Sequence, residues 1–174
     1  DENDVPIARV RAADAGPLVT HRDGRIVQIA PDSDGVERFR YTALGVQDAI
    51  WDPQLGLIAA KTRSGTFDSS VITVDPLTGE TVGAETDAFL TTRIAINSRT
   101  STLYAIGLHG RQSEAETRLV RLTGSGFERS ATLNSFPYEL SRGDLLWDSE
   151  TNSLFSSMSY YDVRRYRGTR EETL

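Results

Sequence analysis

Three charged residues occupy one recurring position in this chain. Asp48, Arg93 and Asp144 stand three residues before Trp51, Ile96 and Trp147, which lead a motif that returns along the sequence. Equivalent positions of a repeat converge on one face, so Asp, Arg and Asp brought together there could bind a cation or a polar ligand. The same side chains could instead neutralise one another as ion pairs or stand solvated at the surface. A second group follows the second strand of each repeat: His21-Arg22, Lys61-Thr62-Arg63, His109-Gly110-Arg111 and Tyr160-Tyr161. Loops on a rigid scaffold carry a large share of binding residues. His109 offers a base or a metal ligand, and Tyr160 a ring to stack on a sugar or an aromatic group. An exposed loop residue without a task would read the same way. The expected ligand-binding set is therefore Asp48, Arg93, Asp144, Lys61, His109 and Tyr160, with no catalytic residue assigned.

Other chemistry is less well marked. Asp32-Ser33-Asp34-Gly35 spaces two carboxylates as a calcium loop does, but lacks the third acidic position and the distal Glu. It falls where other repeats have a hairpin turn, which explains it equally well. No G-x-S-x-G, H-E-x-x-H, P-loop or dinucleotide fingerprint occurs. His21 and His109 are the only histidines, and no serine is marked as a partner for either. Paired carboxylates for glycoside hydrolysis depend on their separation in the fold. With no cysteine in the chain, disulfides, thiolate chemistry and Cys-based zinc sites are excluded. No cofactor is expected beyond that calcium reading.

These residues are positioned by a repeat. Four stretches share an apolar strand, a turn with Gly or Asp, and a more polar strand: Arg25–Gly35, Ser70–Gly79, Arg118–Gly126 and Asp162–Gly168. Taking Ile29, Val74, Leu122 and Tyr166 as equivalent, successive spacings are 45, 48 and 44 residues. A second motif lies between them, in Ala49–Ala59, Ala95–Ala105 and Leu146–Ser156. Its anchors Asp52, Asn97 and Asp148 are 45 and 51 residues apart. The segments are short, rich in β-branched and aromatic residues, and bounded by Gly, Pro, Asp or Asn. Four strands per repeat of roughly 40–45 residues make the blade of a β-propeller. The expected repeats are 5–44, 45–91, 92–140 and 141–174, in a single propeller domain or part of one, with a β-sandwich as the alternative.

Asn97-Ser-Arg-Thr-Ser-Thr-Leu-Tyr104 and Asp148-Ser-Glu-Thr-Asn-Ser-Leu-Phe155 resemble the strand–turn–strand of the broad YVTN, NHL and quinoprotein-like propeller families; Asp52-Pro-Gln-Leu-Gly-Leu57 is a weaker copy. The resemblance covers most of 45–174 and only loosely 5–44. It implies fold more than function, since such propellers include binding scaffolds, lyases, lactonases and electron-transfer subunits.

Charge narrows the partners. With 19 basic against 25 acidic residues the net charge is −6, which argues against a nucleic-acid or anionic-membrane footprint. No apolar run approaches the roughly 18 residues of a membrane span. The chain starts at Asp1 without methionine, which reads as a processed or excised piece. The expectation is a non-catalytic binding or assembly module of an exported protein, periplasmic or secreted, with a protein or small polar ligand as partner. The alternative is a propeller hydrolase or lyase, or the substrate-binding part of one. Four blades in an open arc would leave apolar faces at both ends, which predicts a homodimer or association with further blades.

Overall fold

The computed structural model describes residues 7–11, 16–30, 37–42, 46–52, 56–62, 69–75, 78, 80–87, 89–109, 116–123, 128–137, 144–157, 163–167 and 170–173. The fold is all-β, with four propeller blades, each a four-stranded antiparallel sheet of consecutive strands. The first sheet holds β1 (Ile7–Arg11), β2 (Leu18–His21), β3 (Arg25–Ile29) and β4 (Glu37–Thr42). The second holds β5 (Val46–Asp52), β6 (Gly56–Thr62), β7 (Ser69–Val74) and β8 (Thr81–Asp87). The third holds β9 (Phe89–Asn97), β10 (Thr102–His109), β11 (Glu116–Thr123) and β12 (Glu128–Pro137). The fourth holds β13 (Asp144–Asp148), β14 (Ser153–Ser157), β15 (Arg164–Arg167) and β16 (Arg170–Thr173). A sandwich is two sheets packed face to face, whereas four separate four-stranded sheets follow one another here. Every strand pairs with its sequence neighbours, so the sandwich alternative does not form. The third sheet begins at Phe89, inside the stretch read as the end of the second repeat, because β9 runs for nine residues.

The recurring motif is the turn between the first two strands of a sheet. Asp52, Asn97 and Asp148 each precede by four residues a backbone in the left-handed region: Gly56 (φ 78°), Ser101 (φ 48°) and Asn152 (φ 52°). Glycine adopts that region without steric cost, and asparagine tolerates it. Asp148 fixes its copy by accepting from the Glu150 amide at 3.0 Å and the Thr151 hydroxyl at 2.5 Å. The Thr151 hydroxyl and then that amide hold the Asp148 carboxyl below its usual 3.8.

Apolar residues fill the spaces between successive sheets. Leu18 and Ile26 of the first sheet pack with Ala49, Ile72 and Val74 of the second, with Tyr41 and Trp51 against them. Ala95, Tyr104, Ile106 and Leu119 of the third pack with Leu145, Leu154 and Tyr166 of the fourth. There Trp147 stacks on Tyr104, with centroids 5.5 Å apart and rings 10° from parallel, and the Asn134 side-chain amide donates to the Tyr166 hydroxyl at 3.2 Å. The ladder explains the repetition. Trp51, Leu57 and Val74 stand opposite one another in the second sheet, as Trp147, Leu154 and Tyr166 do in the fourth. Side chains alternate across a strand, so each such row belongs to one face. Each sheet thus turns one face back to its predecessor and the other forward.

Candidate functional site

The innermost strands β1, β5, β9 and β13 carry Arg9, Asp48, Arg93 and Asp144 at one register level. Their ladder partners are Thr20, Ala60, Ile106 and Ser157. The pairing register shifts beside the first three: between Ile7 and Arg9, between Val46 and Asp48, and between Ile106 and Gly107 opposite Arg93 and Thr91. Such irregularities re-aim a side chain. Arg9 therefore completes the position at which Asp48, Arg93 and Asp144 were expected, and charge alternates around it.

Asp48 is the hub. Its buried carboxylate meets five nitrogens. Arg9 Nε lies 3.2 Å from Oδ1, and Arg11 donates to it from Nε at 3.1 Å and from Nη2 at 2.5 Å. The amides of Ala49 and Ile94 each donate at 3.0 Å. Arg11 Nη2 also donates to the Ile94 carbonyl at 2.9 Å. Arg9 Nη2 reaches Asp144 Oδ1, which accepts the Leu145 amide at 2.8 Å as well. A buried carboxylate is tolerated when it is paired and its lone pairs are filled. Asp48 meets that condition with donors from three sheets, so the cluster pins the sheets together at their inner edge. Arg93 is half-buried beside Ile94.

Asp144 is the exposed end of this chain of ions, its side chain 56% accessible. Partial burial pushes its carboxyl pKa up. The Arg9 hydrogen bond and charge, the Leu145 amide and the charge of Arg11 outweigh that and hold it below 3.8. A depressed carboxyl stabilises the fold above its unfolded value, and the contribution is lost as pH falls through the folded one. Replacing Asp144 with Asn is therefore expected to cost about 0.2–1 kcal/mol near neutral pH, a solvent-screened pair being worth no more. The difference from wild type should close below pH 3.8. Denaturant melts of both proteins across that range check it, and a gap that persists in acid refutes the assignment.

Above this cluster lies a cavity of about 570 Å³, lined from all four innermost strands and from β14. Arg9, Arg11 and Asp144 supply its charges; Val10, Trp51, Ile96, Leu146 and Phe155 are among its apolar lining. Ser156 also lines it, and its buried hydroxyl has no hydrogen-bond partner among the described residues. The cavity is asymmetric. Val10 and Leu146 are 57% and 61% exposed. By register, Val10 corresponds to Ala49, Ile94 and Leu145, and Leu146 to Ile50 and Ala95, none of them more than 6% exposed. Those counterparts are covered by a neighbouring sheet. Among the described residues, β2 packs on β5, β5 to β7 on β9, and β9 and β10 on β13. Among the described residues the Arg9–Asp144 pair joins the fourth sheet to the first, and the exposure of Val10 and Leu146 leaves the apolar part of that junction an open seam.

Of the remaining expected residues, Lys61 and His109 lie in strands and not in loops, because β6 and β10 run on through them. Lys61 pairs with Val46 and His109 with Phe89, which places both toward the end of their sheets that carries the charged level. Tyr160 and the Asp32–Gly35 turn lie outside the described residues. Among the described residues no cluster of three His, Cys, Asp or Glu could hold a metal ion, and no helix is long and apolar enough to cross a membrane. Sequence reasoning missed Arg9 and Arg11. The available signal was Ile7-Ala-Arg-Val-Arg11, where alternation puts two arginines on one face of an inner strand.

No family model matches the sequence, and no curated protein matches it. Among solved structures, the chain is similar to the crystal structure of BamB from Moraxella catarrhalis, at 11% identity and a TM-score of 0.46. That likeness covers 95% of this chain and 58% of the other, so the chain spans less than two thirds of the protein it matches.

Proposed function

We propose that this chain is a non-catalytic binding or assembly module whose binding place is the seam between its first and fourth sheets. The observation that carries the reading is the exposure of Val10 and Leu146, whose apolar counterparts Ala49, Ile94 and Leu145, and Ile50 and Ala95, are buried. Exposed apolar side chains at the wall of a cavity, rimmed by charge, are what an interaction site requires. The charged cluster supports the same division of labour. Asp48 is saturated by its five donors, so proton transfer to a substrate would strip the inner edge of its pin.

An environment-sensitive apolar dye tests the reading. With the protein at about 50 nM, too dilute for a second copy to fill the seam, it is expected to bind wild type at one seam and to bind Leu146→Asp at least about tenfold more weakly, since losing the burial of one leucine removes about 1.5–3 kcal/mol. Leu146 is exposed, so the variant keeps its fold, which circular dichroism verifies. Equal dye affinity in the two proteins would remove the seam from consideration.

A further inference from the structure

We infer that the occupant of the seam is a second copy of this chain, joined so that each copy's fourth sheet lies on its partner's first. The inference rests on the seam being a binding place and names what binds there. Its first support is repetition. The forward face of one sheet covers the backward face of the next between the first and second sheets, where Leu18 and Ile26 pack with Ala49 and Ile72, and between the third and fourth, where Tyr104 and Leu119, at the same register as Leu18 and Ile26, pack with Leu145 and Leu154. Among the described residues, the fourth sheet's forward face, with Leu146, and the first sheet's backward face, with Val10, are the two members of this set left uncovered. Each has the form that the other accepts.

Charge is the second support. Arg9 stands at the inner edge of the first sheet and Asp144 at that of the fourth, so the two ends are electrostatically complementary. Two copies related by a twofold axis make the junction twice, because each contributes both ends. Arg9 then meets the partner's Asp144, and the two ion pairs within the separate chains are exchanged for two pairs between them. No charge is left unpaired by the exchange. Val10 and Leu146 gain the cover that their counterparts have within the chain.

The experiment uses exposed positions, so that folding is not at stake. Mass is measured by sedimentation equilibrium for wild type, Val10→Lys, Leu146→Asp, and an equimolar mixture of the two variants. At about 100 µM, where a Kd near 1 µM leaves little monomer, wild type is expected as a dimer and each variant alone as a monomer. The mixture is expected to recover the dimer, since one junction then carries Lys facing Asp and the other keeps the native pair. A wild-type monomer overturns the inference, as does a dimer that both variants leave intact. The dye separates the two readings. A monomer that binds dye at the seam, and loses it on Leu146→Asp, defeats the second copy and leaves the binding module standing. A monomer whose dye binding ignores Leu146 defeats both.

Discussion

Asp48→Ala is expected to lower stability by about 3–5 kcal/mol, the usual consequence of removing one partner from a buried ion cluster. The variant leaves the guanidinium of Arg11 facing a cavity, with only the Ile94 carbonyl retained. It also orphans the amides of Ala49 and Ile94, each of which has the carboxylate as a partner at 3.0 Å. Arg9 keeps Asp144 but loses its buried contact. For a chain of this size each kcal/mol moves the melting temperature by about 2–4 °C, so a drop of roughly 10 °C is expected. Asp48→Asn holds the shape and one acceptor but turns an NH2 group toward existing donors, and should fall between Ala and wild type. Thermal melts of the three proteins decide it. A melting temperature for Asp48→Ala within a degree or two of wild type would mean the cluster does not hold the sheets.

The second large effect belongs to the packing between the third and fourth sheets. Leu154→Ala should cost about 2–5 kcal/mol, because a fully enclosed leucine leaves a cavity that its neighbours fill only in part. Leu154 is 1% exposed within the cluster of Tyr104, Ile106, Leu119, Leu145 and Tyr166. Leu146→Ala is the matched control on the adjoining strand. The same residue type stands there on the opposite face, uncovered, and truncation should change monomer stability by less than about 0.5 kcal/mol. Denaturant titrations of the two single variants measure the contrast. Equal losses would show that Leu146 is enclosed and that the seam is closed.

Much of the architecture was legible from local chemistry. The turn residues Asp52, Asn97 and Asp148 recur because each ends the first strand of its sheet, four residues before a left-handed backbone at Gly56, Ser101 and Asn152. Counting from those turns located Asp48, Arg93 and Asp144 at one level of their sheets. Arg9 escaped the count because it lies 39 residues before Asp48, whereas the next two members follow at 45 and 51. The first repeat is shorter, and its own turn has no Asp or Asn four residues before a left-handed position. Lys61 and His109 were placed in loops because polar and charged residues begin there, Lys61-Thr62-Arg63 and His109-Gly110-Arg111, yet both strands continue through them.

Strand alternation and turn chemistry act over a few residues, so the sequence by itself determined an all-β chain of four repeated four-stranded units. It also determined that Asp, Arg and Asp share a level, since equal steps along equivalent strands end at equivalent heights. Which charges neutralise which was decided only by the tertiary structure. The partners of Arg11 and Arg9 lie 37 and 135 residues away along the chain, and an ion pair depends on distance through space, which composition and period do not encode. The same holds for the open seam. Val10 and Leu146 look like their buried counterparts in sequence, and only the position of their sheets at the two ends of the series leaves them uncovered.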